Sequence, residues 1–213
     1  KGLIHAPCGG TGEKLDLRTT RAIMAVRLNN MLFGGSGVQE EVVVMLQNML
    51  NKGITPLFSS RGSIGEADIT ILGHLGLAMI GEGEVLYKGK ITKAADALKK
   101  EKLQTVILFG KDALSIVSSN AYSAGMTVIA MGDMEQLIKV AKLVYLSSLE
   151  AFNGNIAPFS AEAAQLRPFP SFVSTAAELR GMLRGSYLWE DHSQRALQDP
   201  LSLRDLSRIP ISE

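Results

Sequence analysis

The strongest constraint in this chain is one continuous stretch, Arg61-Gly-Ser-Ile-Gly-Glu-Ala-Asp-Ile-Thr-Ile-Leu-Gly-His74, which runs on into Leu-Gly-Leu-Ala-Met-Ile80. Ile54 to Ile64, with Pro56, reads as a loop, and the apolar residues from Ala67 to Ile80 read as a helix. Glu66 and Asp68 stand where loop gives way to helix. Acids there suit the positive end of the helix dipole. A carboxylate pair at that point also suits acid–base work, so Glu66 and Asp68 are the catalytic candidates.

Other helices follow from similar signals. Thr19 or Thr20 caps a helix through Phe33, and Gly34-Gly-Ser-Gly37 breaks it. Ser36 is placed to cap the next, with Glu40 and Glu41 in its first turn and Gly53 after its end. Glu84–Tyr87 and Lys90–Thr92 form a short hairpin, and a polar helix covers Ala94–Glu101. Two long helices are expected, about 111–131, interrupted at Ser118-Ser-Asn120, and about 134–152, ended by Asn153-Gly-Asn155. Arg167-Pro-Phe-Pro170 is a rigid extended connector, and Ser174 or Thr175 starts a last helix closing near Gly185. Residues 1–18 and 186–213 read as irregular. The expected fold is mainly α, in a single domain over 1–213.

The 213 residues carry 22 basic and 21 acidic side chains, a net charge of +1 with no basic block. Neither nucleic acid nor an anionic membrane surface is suggested as a partner. The longest apolar runs, Val42–Leu46 and Thr105–Phe109, are far too short to span a bilayer. Hydrophobic content is 46% against 20% charged, which favours helices buried between subunits over a large core alone. Cys8 is the only cysteine, so no internal disulfide forms and a reducing, cytoplasmic location is the default. No Cys/His cluster has metal-ligand spacing. Gly9, Gly10 and Gly12 follow no strand and open no dinucleotide fingerprint.

Five segments resemble, in order, those of the histidine and phenylalanine ammonia-lyase family. They are Arg27-Leu-Asn-Asn30 with Gly34-Gly-Ser-Gly-Val38, the Gly62–His74 frame, Lys111-Asp-Ala-Leu114, Arg167-Pro-Phe-Pro170, and Gln198-Asp-Pro-Leu-Ser-Leu-Arg204. The resemblance implies the N-terminal portion of a helical-bundle lyase fold, of the aspartase/fumarase-like superfamily, built as a homotetramer. A fragment or a shortened relative is expected. The family's frame carries Ala-Ser-Gly, which cyclises to an electrophilic methylidene-imidazolone (MIO) ring. Here Gly65 is followed directly by Glu66, Ala67 and Asp68, one residue short. No cofactor is evident, and the ring is not expected to form.

The resemblance also supplies binding candidates for a small aromatic amino acid. Arg204 matches an arginine that pairs with the substrate carboxylate through a planar two-point contact. Gln198 matches a glutamine of the same motif. His5 lies two residues before the position, here Pro7, that holds a ring-selecting histidine. Asn120 lies two residues beyond Ser118, which stands where the family has an active-site asparagine. Leu201 replaces a tyrosine. His74 matches a histidine that packs beneath the site.

Three readings follow. One is an aromatic amino acid ammonia-lyase or aminomutase, acting on histidine, phenylalanine or tyrosine. A second is a diverged member without the ring, either inactive or doing other acid–base chemistry. The third is a shortened subunit whose helices need a partner chain to complete the bundle.

Overall fold

The computed structural model describes residues 2–6, 8–166 and 169–190. These fall into two compact units, Lys1–Asp133 and Met134–Glu213. The elements are α1 (Gly2–His5), β1 (Thr11–Lys14), α2 (Leu17–Leu32), α3 (Glu40–Lys52), β2 (Ile54–Pro56), β3 (Ser59–Arg61) and α4 (Ile69–Met79). After these come β4 (Glu84–Tyr87), β5 (Lys90–Lys93), α5 (Ala94–Lys100), α6 (Asp112–Val117), α7 (Ala121–Ala151), α8 (Ala161–Gln165) and α9 (Pro170–Met182). Single 3-10 turns lie at Ala157–Phe159 and Tyr187–Trp189. The protein is mainly α, as its sequence pattern implies.

The first unit is organised around α4. Ile71, Leu72, Gly73, Leu75, Gly76, Ala78 and Met79 are all buried. A helix that is apolar on every side belongs inside a core. Here α1, α3, α5, α6 and β2 pack around it. Each fully buried Leu or Ile contributes about 1.5–3 kcal/mol. Residues 4–8 lie so close that a Cβ at Gly73 would stand 2.7 Å from Cys8 Sγ, and one at Gly76 2.6 Å from Ile4 Cδ1. The second unit has its own small core of Leu146, Leu149, Ile156, Leu179, Leu183 and Leu188.

Several local expectations change. Residues 54–61 are not all loop: β2 pairs antiparallel with β4, and β3 with β1. Pro56 is tolerated because β2 is an edge of the β2-β4-β5 sheet. The stretch before residue 18 contains α1 and β1 rather than being wholly irregular. Asp16, not Thr19 or Thr20, caps α2, its carboxylate accepting from Thr19 N at 2.9 Å and Thr19 Oγ1 at 2.7 Å. Ser36 does not cap α3; Gln39 holds that position, and Gly53 ends the helix in the left-handed conformation as expected. The final helix starts earlier, at Pro170, whose missing N–H costs nothing in a first turn.

The two long helices expected in 111–152 are divided differently. The break at Ser118–Asn120 is real, but beyond it α7 runs unbroken for 31 residues. Gly132 lies within it: one glycine costs a helix only about 1 kcal/mol and does not end it. Gly125, on the same helix, marks the closest approach in the unit. A Cβ there would stand 2.7 Å from Ile23 Cα and 2.8 Å from Ile23 N. That neighbour is backbone and cannot rotate away. Gly125→Ala is therefore expected to force α7 off α2 and destabilise the protein by about 1–3 kcal/mol. A urea midpoint equal to that of the wild type would contradict this packing.

Candidate functional site

The frame loop between β3 and α4 is tied down at both ends. Thr70 Oγ1 donates to the Gly62 carbonyl at 2.5 Å. Gly62 has φ +151, and a Cβ would meet Thr70 Oγ1 at 2.5 Å and Gly10 Cα at 3.2 Å, so no other residue fits there. Within the loop, Gly65 N–H donates to Ser63 Oγ at 3.2 Å. At the far end, Asp68 N–H donates to the Ser119 carbonyl at 2.8 Å.

Asp68 is 1% exposed and carries the second half of that anchor. It stands at the N-cap of α4 but makes no side-chain cap bond to it. Its carboxylate instead accepts from Ser123 N and Ser123 Oγ, both at 3.1 Å, in the first turn of α7. An acid at a helix N-terminus is favourable, and here the helix it serves is a different one. Tyr122, beside it, donates its hydroxyl to the Ser60 carbonyl at 2.8 Å. Burial, then the Asp68 charge, raises the Tyr122 pKa above its ordinary value of 10.0. Glu66, by contrast, is exposed and no hydrogen bond or ion pair holds it among the described residues.

The other motif residues interlock beneath this loop. Arg27, 4% exposed, donates from its guanidinium to the Ser115 carbonyl, and burial lowers its pKa. Ser115 Oγ donates to the Ser36 carbonyl at 2.7 Å. Asp112, 1% exposed, accepts from Gln39 N at 2.9 Å, Phe109 N at 2.8 Å and Gln39 Nε2. These contacts join α2, the glycine-rich turn, α3 and α6 into one support.

The remaining candidates are dispersed. Asn120 is exposed and directly follows Ser119, which binds the Asp68 backbone, so it lies at the same end of α4 as Glu66 and Asp68. His5 lies at the other end: its Nε2 is 2.5 Å from Glu82 Oε2, just past the C-terminus of α4. The 11 residues of α4 separate those ends by about 16 Å. Gln198, Leu201 and Arg204 lie outside the described residues, as do Pro7, Arg167 and Pro168. Sequence reasoning did not find Tyr122 or Ser123 as loop supports, because their contacts join segments far apart in the chain.

His74 sits on α4 with Nε2 buried and without a hydrogen-bond partner among the described residues. Burial, then the Lys14 ammonium, holds its pKa below the ordinary 6.5. Among the described residues, no group of three or more His, Cys, Asp or Glu side chains is arranged to hold a metal ion. Nor, among them, is any helix long and apolar enough to cross a membrane.

The family model of the aromatic amino acid lyases matches residues 1–209. The chain belongs to the aromatic amino acid lyase family. A histidine ammonia-lyase 2 of Fusobacterium nucleatum is 38% identical over 205 residues, 96% of this chain and 40% of that protein. A solved ergothioneine degrading enzyme of Treponema denticola, in complex with desmethyl-ergothioneine sulfonic acid, superposes with a TM-score of 0.88 at 38% identity. It covers 94% of this chain and 40% of that one. A tyrosine aminomutase of Streptomyces globisporus superposes with a TM-score of 0.83 at 31% identity, covering 88% of this chain and 35% of that one. The chain thus spans about 40% of the length of the curated relatives it matches. Its fold is part of the helical lyase fold of the aspartase/fumarase-like superfamily.

In this aromatic amino acid lyase the residues at the ring position do not fit an MIO group. Closure needs a serine that loses water and a glycine amide as nucleophile. Ala67 has no hydroxyl, and the Asp68 amide is already bound to Ser119. Ser63 is followed by β-branched Ile64, and its hydroxyl is held by Gly65.

The lowered His74 pKa sets a pH dependence. The folded state resists protonation that the unfolded chain accepts at its ordinary value. Stability therefore falls as pH drops from 6.5 toward the lowered folded value. His74→Leu is expected to flatten this slope between about pH 7 and pH 5. Urea midpoints across that range read it, and an equal decline in both proteins would refute the assignment.

Proposed function

We propose that this protein eliminates an amine from an aromatic α-amino acid without an MIO ring. The observation that carries this reading is the loop at the head of α4. Glu66-Ala67-Asp68 replaces the cyclising triplet there, on a scaffold whose supporting contacts are complete. In the reaction a base removes the β-proton and the C–H electron pair becomes the new double bond. The Cα–N pair then leaves on nitrogen as a neutral amine. Arg204 and Gln198 are the residues we assign to the substrate carboxylate, Arg204 through a two-point contact. Asn120 borders the same loop and is assigned to the substrate. His5, held by Glu82 at the other end of α4, is less well supported. The buried, fully bonded Asp68 supports a role in holding the loop rather than in proton transfer.

Histidine ammonia-lyases among the relatives support an imidazole-bearing substrate. The ergothioneine degrading enzyme favours a specific form of it. Ergothioneine is an imidazole amino acid whose α-nitrogen carries three methyl groups. Such a nitrogen keeps its charge at every pH, has no lone pair to add to an electrophile, and departs as a neutral tertiary amine. A ring that captures a free amine has nothing to do there. The expected result is an unmodified mass for the peptide spanning Arg61–His74 and release of trimethylamine from ergothioneine, with no ammonia from histidine. A mass deficit of two waters, together with ammonia release from histidine, would overturn the ring-free reading.

We also infer that several copies of this chain assemble, in a reducing compartment such as the cytoplasm. Met131, Leu137, Val140, Leu143 and Val144 on α7 are each more than half exposed in the isolated chain, at 54–66%. Helices of this kind suit burial against other subunits. Sedimentation is expected to give a homo-oligomer, a tetramer by family resemblance. A stable monomer at micromolar concentration would contradict this.

A further inference from the structure

We propose that Glu66 is the group that reads the charge on the substrate nitrogen, so that the site selects a quaternary ammonium amino acid over a neutral analogue of the same shape. This rests on the ring-free elimination proposed above and adds a specificity determinant to it.

The argument starts from the loop's anchoring. Gly62 is fixed to Thr70, Gly65 to Ser63, and Asp68 to Ser119 and Ser123. Only Glu66 and Ala67 lie between the last two fixed points. Ala67 and Asp68 are buried, and Glu66 is the exposed member of the three. Its carboxylate therefore projects from a segment held on both sides, without an ion-pair partner among the described residues. Most exposed acids on this unit are less constrained. Glu82 is taken by His5, and Glu101 by Tyr87, Lys52 and Lys88.

Position adds the second part. Where the family places a neutral electrophile that captures an amine lone pair, this chain places an anion. An electrophile requires an unprotonated nitrogen, and an anion requires a cationic one. The two substitutions therefore select opposite forms of the amine. A trimethylammonium group cannot donate a hydrogen bond, so its recognition is electrostatic and needs a negative charge near it rather than a shaped acceptor. In a site closed against water such a contact strengthens, because the local dielectric is low.

The test compares two ligands on the full protein: ergothioneine and its carbon isostere, in which a tert-butyl group replaces trimethylammonium. Wild-type protein is expected to bind the cation about tenfold or more tightly than the isostere, the size expected of a charge contact shielded from water. Glu66→Gln is expected to abolish that preference by weakening only the cation. Glu66→Asp, which keeps the charge, is expected to retain most of it. Glu66 is exposed, so the melting temperature of each variant should match the wild type. If Glu66→Gln keeps the full preference while ergothioneine is still turned over, Glu66 is not the reader and the ring-free elimination stands. If wild-type protein binds neither ligand and turns over neither ergothioneine nor histidine, the elimination reading itself fails, and this proposal with it.

Discussion

The constraint on which the first unit depends is the burial of α4 on all sides. A helix of Ile, Leu, Ala and Met with no polar face cannot lie on a surface, so every neighbouring element is recruited to cover it. Gly73 and Gly76 then become necessities of packing. Without them residues 4–8 could not come close enough to seal one side. The frame loop is the entrance to this helix, and its position follows from that of α4.

The motif residues divide into two kinds. Arg27, Ser36, Asp112 and Ser115 form a buried network whose partners come from four different segments. Leaving a buried polar group unpaired costs about 1–3 kcal/mol, so such networks hold a backbone in one arrangement. Asp68 extends the same logic to the head of α7. Glu66 belongs to the second kind, since it is exposed and unspent. A site that has exchanged an electrophile for an anion, while keeping its supports, has changed which form of an amine it can act on. Fold alone would not reveal this, because function lies in the site and not in the scaffold.

The sequence by itself determined the helical class and most element positions. Apolar periodicity, Gly53 and the Ser118–Asn120 break are local signals, and α3, α4, α5 and the 84–93 hairpin follow them closely. It also determined the missing triplet, because cyclisation depends on covalent neighbours. Tertiary structure decided the rest. Asp68 pattern-matches an acid at the start of its own helix, yet it bonds α7, 55 residues along the chain. Asp16 displaced the threonines as the cap of α2, and an edge position made a strand of a proline-containing segment. His5 and Glu66, both candidates on one reading, are placed at opposite ends of α4. The physical reason is common to all of these. Hydrophobic period and turn chemistry are written over a few neighbouring residues. The partner of a buried carboxylate, or the end of a helix to which a side chain is brought, is set only when distant segments compete to cover the same core.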